Sequence, residues 1–210
     1  MPRIIDLTLT LQPDMRGVEI QQARTIEVEG WNAKRIELYS HCGTHMDAPR
    51  HFIADGSTID TVDLTVCIGP ARVIDLTPIE PRTSIAVDHL GPIADVIGPG
   101  DRLLLRTDWY RHHGTPEYRD DLPRISIELA DWLVDRGIAL LGVEPPSVAD
   151  VNDRDELVRI HQSLLGGGIV IVEGLAHLDE IQSATVDLTV LPLKVLDGDG
   201  APARAVAIEK

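Results

Sequence analysis

Three histidines and an aspartate fall within eleven positions, from His41 to His51 of "HCGTHMDAPRH", in a chain that holds eight histidines in all. Imidazoles and a carboxylate in one short stretch form a borderline-hard ligand set suited to Zn²⁺, Mn²⁺ or Fe²⁺. The competing reading is a solvated polar loop. Two histidines four apart can share a helix face, as in helical zinc motifs. Gly43, the β-branched Thr44 and Pro49 oppose a helix here. An extended chain serves better: if the strand geometry of Ile36 and Leu38 continues, His41, Gly43, His45 and Asp47 point to one side. Gly43 then leaves a space between two imidazoles that a cation fits. His51 follows the bend at Pro49 and reads as either a ligand or a nearby acid/base.

Three ligands from one segment need another from elsewhere. His161 lies on an apolar stripe with Leu157, Ile160, Leu164 and Leu165, where a histidine is either a satisfied core residue or a ligand. Glu173 ends the apolar run "IVIVE". Either the chain returns to solvent there, or the carboxylate is paired or bound to a cation, because a lone buried charge is costly. Together the two make a second half-site. Cys42, flanked by histidines, raises a cysteine hydrolase, but in an extended chain its thiol faces away from His41 and His45.

The elements that must position these residues are strands first and helices later. "RIIDLTL" (3–9), "VEIQQARTIEV" (18–28) and "AKRIELYSH" (33–41) read as strands, with "ARVIDL" (71–76) and "RLLLRT" (102–107) as two more between Gly-Pro punctuation. "SIELADWLVDRG" (126–137) has an N-cap in Ser126 and a stop in Gly137, and the apolar strand "IALLGVE" follows it. Asp153 with Glu156 resembles a capping box opening the helix "RDELVRIHQSLL", which stops at Gly166-Gly167-Gly168. Strands at 169–173, 186–195 and 204–209 complete the pattern. The expected class is a mixed α/β fold with a β-rich N-terminal part, in a single domain spanning 1–210.

The net charge of -15, from 34 acidic and 19 basic residues, repels phosphate backbones and argues against a nucleic-acid partner. No apolar run approaches the roughly 18 residues that span a bilayer. The opening "MPRIIDLTLTLQPDMRG" meets polar residues too early for a secretory signal. Two cysteines give no disulfide framework and fit a reducing compartment. The expectation is a soluble, cytoplasmic protein with no membrane partner.

"HCGTHMDAPRHF" fits the pattern H-x-G-T-H-x-D-x-P-x-H and resembles the cyclase-like metal-dependent hydrolases, a family that includes bacterial kynurenine formamidases and isatin hydrolases. "RTDW" (106–109), "GVEPPSVAD" (142–150) and "IHQSLLGGGIVIVEGLAHLDEI" (160–181) resemble the family's later blocks in the same order. The resemblance implies that His41, His45 and Asp47 bind a divalent metal, Zn or Mn, as one ion or two. It implies that His161 and Glu173 complete a second position with Asp47 and Glu173 bridging, and that His51 is the catalytic acid/base. It implies a single swivelling β/β/α domain, a homodimer or higher homo-oligomer, and a small-molecule substrate. Two departures bear on that substrate. The formamidases carry a Trp in the loop after the first strand, whereas "TLQPDMRGVEI" has no aromatic residue, and Glu144 stands where many relatives have Asp. Trp31, Trp109, Tyr110 and Phe52 are candidates to line a pocket instead, and each reads equally well as core.

The function that follows is hydrolysis of an amide or cyclic amide, arylformamidase-like, with N-formylkynurenine of tryptophan catabolism as the default substrate. Hydrolysis of a lactone or imide, or a polyketide-type cyclisation, is the alternative on the same metal site. A metal-binding protein without turnover is the alternative from outside enzymology.

Overall fold

Eight strands of the computed structural model, which describes residues 2–210, form one sheet that closes on itself. In chain order, β1 (Arg3–Asp6) is followed by a separate hairpin of β2 (Val18–Arg24) and β3 (Ala33–Leu38) around the helical turn α1 (Ile26–Glu29). Then come β4 (His45–Asp47), the short α2 (Leu64–Cys67), β5 (Ile68–Asp75), β6 (Ser84–Ile85), β7 (Arg102–Arg106), α3 (Glu117–Asp120) and β8 (Arg124–Ile125). The last third runs α4 (Ile127–Arg136), β9 (Leu140–Val143), α5 (Arg154–Gly166), β10 (Val170–Glu173), β11 (Thr185–Pro192) and β12 (Gly200–Glu209). The sheet order is β1-β12-β11-β5-β7-β9-β10-β4, and β4 pairs again with β12, so the sheet is closed like a barrel.

β5, β7, β9 and β10 are parallel neighbours, and their apolar runs are buried on both faces as such strands require. In β7, Leu104 joins the core inside the closed sheet, while Leu103 and Leu105 pack outward with α4 and α5. β12 turns Ala201, Ala203, Ala205 and Ala207 inward; small side chains there leave the lumen to the larger Met46, Leu140, Val172 and Leu188. Gly142 meets the same constraint, since a Cβ on it would lie 2.7 Å from Leu104 Cδ2.

Both helix ends expected from the sequence form. Ser126 Oγ accepts the Leu129 N–H at 3.1 Å, and Gly137 adopts the left-handed conformation at φ 68°. Asp153 caps α5 by accepting from Asp155 and Glu156. The reciprocal half of that capping box does not form, because Glu156 accepts from Arg124 Nε at 2.9 Å instead. Several expected strands are shorter than the sequence suggested: β1 stops at Asp6, the chain from 25 onward turns into α1, β3 stops at Leu38 and β11 stops at Pro192. Among the described residues, no helix is long and apolar enough to cross a membrane.

Glu144, the departure noted in the sequence, lies just beyond β9 and is fully buried. Its Oε2 accepts from the Thr107 N–H at 2.7 Å, the Thr107 hydroxyl at 2.9 Å and the Trp109 N–H at 3.2 Å, which ties β9 to the segment after β7. Burial pushes its carboxyl up to about 7, against the downward pull of the Thr107 bonds. A folded-state value above the unfolded one contributes stability that is complete below the unfolded value and is lost as pH rises through about 7. The wild-type stability, taken relative to Glu144→Gln, should therefore fall by roughly 3 kcal/mol between pH ~4.5 and ~7.5 and level off above. Denaturant unfolding of both proteins across that range measures it, and a difference independent of pH contradicts it.

Candidate functional site

β4 is only three residues long, yet it carries the middle of the histidine motif. It pairs with Ile171–Glu173 of β10 on one side and with Gly200–Pro202 of β12 on the other. Met46 points into the lumen at zero exposure, so its neighbours His45 and Asp47 face the opposite way. The register sets His45 beside Glu173. Thr44 braces the approach: its hydroxyl accepts from the Leu9 N–H at 2.8 Å and donates to the Gly174 carbonyl.

The strand expected to run through His41 does not exist. Residues 40–44 turn instead, with Gly43 at φ +60°, a left-handed conformation that glycine adopts without steric cost. A Cβ on Gly43 would lie 2.8 Å from Leu11 Cδ2, so the missing side chain makes room for the N-terminal loop and not for a cation. His41 reaches the same place from the turn: its Nδ1 lies 2.8 Å from Asp47 Oδ1 and its ring packs edge-on against His45 at 5.2 Å. Cys42 is buried and is one of the residues along the cleft, and burial raises its thiol pKa. A protonated thiol counts against a nucleophilic cysteine.

α5 and β10 deliver the remaining groups. His161 and Glu173 are both buried, with His161 Nε2 at 3.4 Å from Glu173 Oε1 and 3.7 Å from Asp47 Oδ2. Glu173 Oε2 lies 3.2 Å from His45 Nε2, and Glu173 Oε1 accepts the Val148 N–H at 2.7 Å. A carbonyl oxygen can only accept, which fixes two tautomers: His45 Nδ1–H donates to Gly43 O at 2.9 Å and His161 Nδ1–H to Leu157 O at 2.7 Å. Both imidazoles are thus left with Nε2 turned to the carboxylates. His51, in the turn Pro49–His51, stacks on His41 at 3.7 Å, and Phe52 stacks on His161 at 4.3 Å.

Burial opposes charge on these imidazoles, and their partners overcome it. For His41, the bonds to and charges of Asp47 and Asp199 outweigh burial and raise its pKa to about 9. His45 and His161 are also raised, by Glu173 and Asp47 against burial. His51 moves the other way, lowered by burial and by its neighbours His41 and His161. Glu173 stays ionised despite burial because His161 and His45 flank it.

The residues fit a cation. His41, His45 and Asp47 offer ligand atoms within 4.8 Å of one another, and so do Asp47, His161 and Glu173. Asp47 Oδ2 is buried with no hydrogen-bond partner among the described residues, a cost that a positive ion removes. His41, His45, His161 and Glu173 line the floor of a cleft of about 710 Å³ whose walls include Leu9, Met15, Tyr39, Phe52 and Tyr118. Of the aromatic candidates, Phe52 lines the cleft. Trp109 is buried, its indole N–H donating to the Tyr118 carbonyl. Tyr110 hydrogen-bonds Asp179, and Trp31 is exposed on the hairpin. One residue of the cluster had no counterpart in the sequence reading. Asp199, just before β12, has Oδ2 at 3.0 Å from His41 Nε2 and 3.6 Å from His51 Nδ1. In "LDGDGAP" it looks like one more turn-forming aspartate, and only the pairing of the next residue with β4 reveals its position.

Residues 5–150 match the Cyclase family model, described as "Putative cyclase". The chain is 36% identical over 177 residues to the kynurenine formamidase of Bacillus mycoides (strain KBAB4), an alignment covering 83% of this chain and 79% of that protein. The kynurenine formamidase of Bacillus cytotoxicus is 35% identical over 175 residues, with the same coverage. An isatin hydrolase bound to the product analogue thioisatinate superposes with a TM-score of 0.90 at 25% identity, covering 100% of this chain and 93% of that one. Isatin hydrolase A from Labrenzia aggregata, bound to benzyl benzoate, gives 0.88 at 26% identity, covering 99% and 94%.

A ligand set of this kind predicts linkage between cation and fold. Zn²⁺ or Mn²⁺ at a hundred times its dissociation constant should stabilise the protein by about 2.7 kcal/mol. The gain should vanish in Asp47→Ala. Thermal unfolding of chelator-treated protein, with and without each ion, is the measurement; equal shifts in both proteins would place the ion elsewhere.

Proposed function

The chain belongs to the cyclase family, and from that premise we propose that it is a metal-dependent hydrolase of amides or cyclic amides, acting on C–N bonds outside peptides. The observation that carries this reading is the meeting of His41, His45 and Asp47 with His161 and Glu173, four of which line a cleft beside His51. His41, His45 and Asp47 would hold one cation, and His161 and Glu173, with Asp47 shared, a second. A divalent cation in such a set polarises a carbonyl and lowers the pKa of water towards ~7. The mixed imidazole and carboxylate donors favour zinc or manganese.

His51 is the proton carrier. It is the motif histidine with a partly exposed ring on the cleft, and an imidazole can take a proton from water and return one to a leaving nitrogen. Phe52 and Tyr39 offer flat apolar surfaces to an aromatic amide, in place of the tryptophan absent from the N-terminal loop. N-formylkynurenine, implied by the formamidase relatives, and isatin, implied by the isatin hydrolases, are the first small-molecule substrates to test. The exposed Ile26, Val28, Trp31 and Ile36 of the hairpin and its α1 turn support a homodimer. Cys42 and Cys67, buried and free, accord with a cytoplasmic enzyme.

Purified protein loaded with Zn²⁺ or Mn²⁺ should hydrolyse formylated aromatic amines, and His51→Ala should lose roughly 10²–10⁴-fold in kcat while retaining its metal. Lactones assayed beside the formamides separate the ester-type alternative. Protein that binds no divalent ion and is inert with each of them would sink the proposal, and unchanged turnover in His51→Ala would remove His51 from the mechanism.

A further inference from the structure

Each of the three motif and helix histidines has one ring nitrogen turned to the carboxylate cluster and the other bonded to an oxygen outside it. For His45 and His161 that outer oxygen is a backbone carbonyl, of Gly43 and of Leu157. For His41 it is a side chain, Asp199 Oδ2, 3.0 Å from Nε2. An ionised carboxylate only accepts, so both ring nitrogens carry hydrogen here, Nε2 towards Asp199 and Nδ1, 2.8 Å from Asp47 Oδ1, towards the carboxylate cluster; a cation at Asp47 would displace the Nδ1 hydrogen and leave the one that Asp199 holds. The same Asp199 oxygen lies 3.6 Å from His51 Nδ1, within charge contact though too long for a hydrogen bond. His41 and His51 are stacked at 3.7 Å with their planes 21° apart, so one carboxylate faces two parallel imidazoles.

The backbone holds Asp199 there. Its carbonyl accepts the Ala48 N–H at 2.9 Å, and the next residues pair with β4, Gly200 opposite Asp47 and Pro202 opposite His45. Gly200 has a matching role: a Cβ on it would lie 2.6 Å from His41 Cε1, so the ring sits where a side chain would otherwise be.

We propose that Asp199 is a positioning residue that acts through both histidines. It fixes His41 in the tautomer that presents Nδ1 to the ligand cluster, and it holds His51 with Nδ1 towards the carboxylate, leaving Nε2 for the cleft. Hydrogen-bonded partners of ligating histidines contribute 10–100-fold to metal affinity or activity. The inference rests on the metal-hydrolase reading above, and the test separates the two.

Asp199→Ala and Asp199→Asn in the full chain are compared with wild type for Zn²⁺ and Mn²⁺ affinity, by competition with a chelating dye, and for kcat and KM on a formylated aromatic amine. Asp199→Ala should weaken binding of both ions by about 10–100-fold and lower kcat with little change in KM. Asn retains a carbonyl oxygen for the His41 N–H but not the charge beside His51, so Asp199→Asn should recover most of the ion affinity and little of the kcat. Wild-type affinity and kcat in Asp199→Ala overturn the inference alone, as does an equal loss of affinity in both variants. A wild-type chain that binds neither ion overturns the metal-hydrolase reading and this inference with it.

Discussion

Three residues close the sheet. β4 is flanked on one edge by β10 and on the other by β12, and without its backbone bonds the sheet would have two open edges where the site now lies. Because side chains alternate along a strand, anchoring Met46 in the lumen turns His45 and Asp47 outward. A slip of one residue in either register would bury both in an apolar core and expose Met46. The same pairing brings Glu173 beside His45 and Asp199 beside His41. The geometry of the cluster is thus inherited from main-chain hydrogen bonds more than from contacts among its side chains.

The charges in the cluster are arranged to compensate one another. Asp47, Glu173 and Asp199 lie against His41, His45 and His161, and the two buried carboxylates each meet at least two imidazoles. Burial alone would neutralise such groups, yet mutual attraction keeps Glu173 ionised and His41 readily protonated. Glu144 shows the contrasting outcome. It accepts three hydrogen bonds but forms no ion pair among the described residues, and burial prevails.

Much of this was legible in the sequence, and what was not has identifiable causes. The helices α4 and α5 announced themselves by Ser126, Gly137 and Asp153, because caps are local chemistry. His161 on an apolar stripe and Glu173 ending an apolar strand were recognisable because charge in such company demands a partner. The path of residues 39–44 was not legible: alternation in β3 suggested a continuing strand, whereas a left-handed Gly43 and the packing of Leu11 produce a turn. That error left the grouping of His41 with His45 and Asp47 intact but misassigned the reason for it. Asp199 was invisible for a different reason. Its environment is supplied by a strand pairing between residues more than 150 positions apart, and no local pattern encodes a contact of that range.

The closing strand pairs also govern the order in which the molecule can be made. A ribosome delivers His41, His45, Asp47 and His51 first, then α5 with His161, then Glu173, and then Asp199. β4 is too short to persist alone, and both strands that flank it are synthesised more than 120 residues after it. The early histidines therefore wait for Glu173 and Asp199, and the cluster assembles only as the sheet closes. Assembly of the cluster therefore depends on β12: a chain truncated before it keeps nearly every chemical group of the cluster yet lacks the edge that holds them in register.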